Sequence, residues 1–303
     1  MHSGGDIELL GPQPVCRLRL IARVCVLERT AERHGLLCRP RPKAAPRRVY
    51  CAHMEIANYI ATLRHEGNVL ATTAARAGLD TPIPTCPEWR IRDLVRHVGG
   101  IHRWAAMYVR EGHTVPVDST DLGALAGGWP DDSALIAWFR AGHAALLHAL
   151  EAAEPGLDCW TFLPAPSPLA FWARRQAHET TIHRADTQSP SGLITPVAPA
   201  VAIDGIDELL FGFVRRPGGR LQTEVPRSLH LHATDAAGEW MVLLGPEQVE
   251  VRHEHAKGDC AVRGRASDLY LLLWNRRTPD GLDVYGDATL LDLWRRAVRI
   301  RWS

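Results

Sequence analysis

The segment RRQAHETTIHRAD, residues 174–186, concentrates imidazole and carboxylate groups at helical spacings. Successive residues of an α-helix advance by about 100° around its axis, so His178 and His183, five apart, diverge by about 140° and do not grip one ion together. The zinc-hydrolase pattern H-E-x-x-H, with histidines at i and i+4 and Glu as general base, is therefore absent. Glu179 and His183 are four apart and share a face, with Asp186 a further turn along it. That face can offer a carboxylate and an imidazole to a divalent cation. It can equally be a solvated Glu–His pair, worth a few tenths of a kcal/mol on many helices. A metal reading needs at least one more ligand from elsewhere.

The helices that could supply it are legible from Met54 onward. MEIANYIATLRHEGNVLATTAARAG places Ile56, Ile60, Leu63, Val69 and Leu70 at helical spacing and ends on Gly78, a C-cap residue. In TPIPTCPEWRIRDLVRHVGGIHRWAAMYVR, Thr85 and Glu88 have the spacing of a capping box with Pro87 in the first turn, which predicts a second helix over 87–110. GGWPDD then places Asp131 and Asp132 to cap a third helix with Leu135, Trp138, Phe139, Leu146, Leu147 and Leu150 on its apolar face. The loop at 155–168 leads into the fourth helix, which carries the opening segment. Four such helices, with nothing strand-like between them, predict a four-helix bundle, an architecture that builds metal sites from inward-facing side chains.

On the second helix, His97 shares a stripe with Asp93, Leu94, Ile101 and Trp104 and so faces inward. A buried histidine is commonly a hydrogen-bonded core residue. Together with Glu179 and His183, however, it completes a His₂Glu set of the kind that binds Zn²⁺ and leaves a fourth position open. His102, five from His97, points elsewhere, and His143 and His148 on the third helix lack an acidic partner at ligand spacing; all three read as packing or surface residues.

TPIPTCPEWRIRDLVRHVGGIHRW, FWARRQAHETTIHRAD and the later RSLHLHATDAAGEW together resemble the mycothiol-dependent maleylpyruvate isomerase family, from about Met54 to the C-terminus. The resemblance implies an α+β protein: a DinB-like four-helix bundle followed by a small sterol-carrier-like α+β domain. It implies a divalent metal, typically Zn²⁺, held by the His of D-L-V-x-H and the Glu and His of H-E-x-x-x-H, which are His97, Glu179 and His183 here. It further implies mycothiol as thiol cosubstrate, with its sulfur at or near the open metal position. A Lewis-acidic metal lowers a thiol's pKa and presents a thiolate near neutral pH. Addition to an activated double bond then permits rotation and isomerisation, and attack on an electrophilic carbon gives an S-conjugate. An arginine of the C-terminal domain is also associated with catalysis in this family, as an anion clamp for a carboxylate. Arg276 and Arg277 are the candidates, with simple solvation at a helix C-terminus as the alternative.

Past residue 225 the hydrophobic period changes. RSLHLHATD and EWMVLLG alternate around a turn and predict a β-hairpin, VEVRHEH and CAVRG add strands, and SDLYLLLWNRR reads as a helix capped by Ser267 or Asp268. LDVYGD is a short strand and ATLLDLWRRAVRI a last helix with basic residues at its end. His230 and His232 lie two apart on one strand face and, lacking a third ligand at suitable spacing, read as paired surface or interface residues.

These readings divide the 303 residues into an extension over 1–53, a helical bundle over 54–215 and an α+β domain over 216–303. The extension carries ten Lys or Arg against four acids and the breaker-rich RPRPKAAPRR, and is expected to be poorly ordered, a targeting or regulatory arm being the alternative. Over the whole chain, 46% hydrophobic and 23% charged residues describe a globular protein, and 35 basic against 34 acidic residues leave no field favouring nucleic acid or an anionic membrane. Seven widely spaced cysteines without a C-x-x-C pair read as reduced thiols of a cytoplasmic protein, and no apolar run approaches the roughly 18 residues of a membrane span. The expected partners are thus a small electrophilic substrate and a low-molecular-weight thiol. A non-catalytic metal-containing binding protein of the same fold is the rival reading.

Overall fold

The computed structural model describes residues 54–118, 121–216 and 221–300, so the expectations for residues 1–53 lie outside the described residues. Four long helices form the first layer: α1 (Ile56–Ala77), α2 (Ile91–Glu111), α4 (Asp132–Ala152) and α5 (Pro168–Gln188), with a short α3 (Leu122–Leu125) between the second and third. Gly78 ends α1 with φ 85° and returns its amide to the Ala74 carbonyl, a positive φ that favours glycine at this stop. Ser167 caps α5 by accepting the Ala170 amide, with Pro168 at the first position, where its missing N–H costs nothing.

The second helix starts later than its sequence predicts. Cys86–Arg90 is an extended strand, β2, paired antiparallel with β1 (Pro82–Ile83), so a small hairpin stands between α1 and α2. Thr85 and Glu88 do not form a capping box, because the Thr85 hydroxyl is drawn 2.6 Å from Asp186 Oδ1 on α5. The helix-start carboxylate is instead Asp93, whose Oδ2 accepts the Arg90 amide at 2.9 Å. Pro87 is tolerated because a two-stranded ladder leaves edge positions without a required donor. The two aspartates expected to cap α4 do not do so either: Asp131 occupies the N-cap without a side-chain bond, and Asp132 is taken by Arg92.

Helix α6 (Pro199–Asp207) continues into π-helical turns over Glu208–Val214, a helical stretch to which the sequence reading assigns no element. A five-stranded sheet follows in the order β5-β4-β3-β6-β7, with β3 (Arg227–Ala233), β4 (Glu239–Leu244), β5 (Val249–Arg252), β6 (Cys260–Gly264) and β7 (Asp283–Gly286). Only β3 and β6 pair in parallel, and α7 (Ala266–Leu273) and α8 (Thr289–Ala297) complete the layer. The expected cap of α7 is also displaced. Asp235 accepts the Ala266 amide, while Ser267 Oγ accepts the Val197 amide and Asp268 pairs with Arg277.

One continuous apolar core joins both layers, running from Leu63, Trp104 and Trp172 in the bundle through Ile206 and Leu210 to Leu231, Trp240 and Trp294. A second cluster around Leu70, Ile91, Leu94 and Phe139 closes the hairpin end of the bundle. Helix α5 lies between the layers, and every residue from Arg175 to Gln188 is buried. Because buried polar groups are costly unless bonded, this polar helix requires partners on all sides. It meets α6 and α7 without spare room at Gly205, where a Cβ would stand 2.4 Å from Tyr270 and 2.8 Å from His178 Nδ1.

Candidate metal centre

The conspicuous His-Glu pair at 178–179 splits between two faces of α5. His178 Nε2 lies 2.7 Å from Asp204 Oδ2 on α6, a carboxylate that also receives Arg174 Nε at 2.9 Å and, through its other oxygen, the Tyr59 hydroxyl at 2.9 Å. Hydrogen bonding to His178 and the charge of Arg174 outweigh burial and hold Asp204 well below the usual carboxylate range. His178 is therefore part of the joint between α5, α1 and α6.

Glu179 faces the other way, toward α2. Its Oε1 lies 3.2 Å from His97 Nε2 and 3.2 Å from His183 Nε2, and the two imidazole rings stand 5.1 Å apart at 73°. The i, i+4 spacing on α5 brings Glu179 and His183 together, and the inward stripe of α2 delivers His97. Four-coordinate bonds of about 2.05 Å place neighbouring donors roughly 3.3 Å apart, so the separations suit one small cation. Glu179 Oε2 is fixed by Arg175 at 3.1 Å, and Arg175 in turn pairs with Glu208 of the π-helical turns.

The far nitrogen of His183 is also engaged, with Nδ1 2.9 Å from Asp186 Oδ2. When a cation displaces the Nε2 proton, a proton kept on Nδ1 by that carboxylate would fix the tautomer a metal ligand requires. Asp186 is gripped by Arg276 through Nε and Nη2, both at 3.0 Å, and by the Thr85 hydroxyl. Arg276 thus reaches the cluster from the C-terminal layer by way of Asp186. Arg277 is not brought there: it pairs with Asp268 and donates to the Asp280 carbonyl at 2.5 Å.

The electrostatics agree with a site of concentrated negative charge. Burial depresses His97, only partly offset by Glu179. In His183 burial is outweighed by hydrogen bonds to Asp186 and Glu179, which lift it to about 9. Glu179 is held well below its ordinary value because His183 and His97 overcome its desolvation. Trp89, from β2, lies 4.9 Å from the His97 ring and stacks on His183 at 5.9 Å. The hairpin that replaced the expected first turn of α2 thus provides an aromatic wall for the cluster.

Of the other histidines, His102 is fully buried against the Thr180 hydroxyl at 2.9 Å, His143 is buried and bonds the Leu63 carbonyl at 3.0 Å, and His148 is exposed. The sequence assigns no site role to Arg175 or Trp89, and gives Thr85 only a helix cap. Only Arg175 carried a local signal, its i, i+4 spacing to Glu179.

Residues 60–188 match the mycothiol maleylpyruvate isomerase N-terminal domain, and residues 200–293 match the C-terminal domain of the same family. The chain belongs to the mycothiol-dependent maleylpyruvate isomerase family. Among solved structures it is similar to the crystal structure of the mycothiol-dependent maleylpyruvate isomerase, with a TM-score of 0.55 at 13% identity, covering 77% of this chain and 94% of that one. A variant of that enzyme with one histidine replaced by alanine gives 0.54 at 13% identity over the same shares. At that identity the likeness establishes a shared fold, a helical bundle followed by an α+β domain. No curated protein sequence matches the chain. Among the described residues, no helix of this maleylpyruvate isomerase family member is long and apolar enough to cross a membrane, and Cys86, Cys159 and Cys260 are free thiols.

Proposed function

We propose that this chain is a metal-dependent enzyme that uses mycothiol to isomerise, or to form an S-conjugate with, a small electrophilic substrate. The observation that carries the reading is the convergence of His97 Nε2 and His183 Nε2 on one oxygen of Glu179, with the far side of His183 locked by Asp186 and Arg276. Family membership supports the thiol cosubstrate and the reaction class. Two imidazoles and a carboxylate suit Zn²⁺ among divalent ions.

His97, Glu179 and His183 would hold the ion, and when bound it would lower a thiol's pKa and favour the thiolate at neutral pH. With the ion bound, Asp186 would keep the remaining His183 proton on Nδ1, so that Nε2 serves as the donor atom. Arg276 holds Asp186 ionised and in register, which makes it a positioning residue acting through His183. Trp89 shields one side of the cluster from water. Arg277 braces the turn around Asp280 and takes no part in the proposed chemistry.

The test measures turnover of a panel of cis-configured and electrophilic carboxylic acids with mycothiol, with glutathione and without thiol. Mycothiol-dependent turnover that disappears in His183→Ala supports the proposal. A stoichiometric metal with no thiol-dependent turnover across the panel would favour the rival reading, a metal-containing binding protein.

A further inference from the structure

A second convergence of metal-ligating side chains occurs on the sheet. Along β3, Leu229, Leu231 and Ala233 enter the core, so the alternation turns His230 and His232 to the opposite face. Glu239, at the start of β4, is the cross-strand partner of His232. His255 arrives from the segment that links β5 to β6, which has no regular structure of its own. His232 Nδ1 and His255 Nδ1 each lie 2.5 Å from Glu239 Oε1, and His230 Nε2 lies 3.5 Å from the same oxygen. The rings of His230 and His255 are 5.4 Å apart and nearly perpendicular.

Three imidazole nitrogens therefore address one carboxylate oxygen that offers two lone pairs. His232 and His255 are near enough to take both, and a cation bound to His255 Nδ1 would displace the proton it shares there. The third nitrogen, His230 Nε2, is buried and has no hydrogen-bond partner, on a side chain only 10% exposed. A buried, unbonded imidazole nitrogen aimed at a carboxylate is expensive to maintain. A cation among these donors would remove the cost by accepting the orphaned lone pair.

We propose a second divalent-cation site, in which His230, Glu239 and His255 are the ligands and His232 orients the carboxylate. The nitrogen-rich donor set selects Zn²⁺, Ni²⁺ or Cu²⁺ over Mg²⁺ or Ca²⁺. His255 is 77% exposed, so this site opens to solvent, unlike the bundle cluster. Occupancy would also order the linking segment. Its other histidine, His253, already packs at 4.8 Å on Phe211 and lies 3.5 Å from Asp207, so a cation on His255 would pin the segment at a second point. The two centres share no residue, and this one stands independently of the proposed catalytic reading.

The experiment uses the full chain, stripped with chelator, reloaded with Zn²⁺ and passed through gel filtration before metal analysis. Wild type is expected to retain one equivalent more than His255→Ala, an exposed-site change that leaves the core intact, and His230→Ala should lose the same equivalent. Adding either substitution to His183→Ala should remove a further equivalent, which separates this site from the bundle centre whether or not that centre binds metal. Hydrogen exchange across 253–259 should slow on Zn²⁺ addition in wild type and not in His255→Ala. Equal zinc content in wild type and His255→Ala, with exchange in the segment indifferent to Zn²⁺, would overturn the proposal.

Discussion

Replacing Asp186 with Asn separates two roles that one carboxylate plays. Its oxygens hold His183 Nδ1 at 2.9 Å, both donor arms of Arg276 at 3.0 Å and the Thr85 hydroxyl at 2.6 Å, all with the Asp186 side chain fully buried. Loss of a carboxylate that orients a liganding histidine typically costs 10- to 100-fold in metal affinity, about 1.4 to 2.7 kcal/mol. Loss of one partner from a buried ion pair costs about 3 to 5 kcal/mol of folding stability, because the other charge is left unpaired. The Arg276 side chain is 17% exposed, which places the stability loss near the lower end, about 3 kcal/mol. Asp186→Asn should therefore weaken both properties. Adding Arg276→Met removes the orphaned charge, so the double variant should recover to within about 1 kcal/mol of wild-type stability, as buried pairs replaced by apolar groups commonly do. It should not recover metal affinity. Urea denaturation of the metal-free proteins reads the first quantity, and competition against a chromogenic chelator reads the second. Wild-type affinity in Asp186→Asn would refute the orienting role, and joint recovery in the double variant would show that affinity merely follows stability.

Asp204→Asn should destabilise the protein by about 3 kcal/mol at pH 7, since Tyr59, Arg174 and His178 all lose a charged acceptor. The Asp204 carboxyl is depressed in the folded state, so its contribution is fully present above the unfolded value of about 3.9 and fades as pH falls through the lower folded value. Urea curves should therefore show a gap between wild type and Asp204→Asn that narrows below about pH 4, and a gap constant with pH would contradict this account. Burial, with the Asp186 charge adding to it, pushes the Cys86 thiol up to about 12. Iodoacetamide at neutral pH should modify it about a thousandfold more slowly in the native protein than in urea; equal rates would place the thiol elsewhere than beside Asp186. Gly205→Ala should cost about 1 to 3 kcal/mol by overpacking Tyr270 and His178, and a thermally neutral substitution would show that α6 can withdraw from α5.

How much of this was legible in the sequence depended on whether the information was local. The Glu179–His183 pair and the inward placement of His97 follow from helical periodicity, and the strands from β3 to β7 follow from alternation and turn residues. Thr85 and Glu88 misled because a capping box is recognised by spacing alone, whereas the Thr85 hydroxyl is claimed by Asp186, a hundred positions further along the chain. The grip of Arg276 on Asp186 carries no short-range signal, since it exists only once the C-terminal layer packs on α5. The same reason hid the role of His230 and His232. Two residues apart they suggested only a surface pair, and their third partner, His255, comes from an irregular segment that strand register alone does not place.

The proposed catalytic centre is tested most directly by metal content in a His255→Ala background, where the second proposed site is absent. After purification and gel filtration, that protein should carry one equivalent of divalent metal, and His97→Ala, Glu179→Ala and His183→Ala should each reduce it to near zero without unfolding the chain. Unchanged metal content in a folded His183→Ala protein would contradict the three-ligand centre.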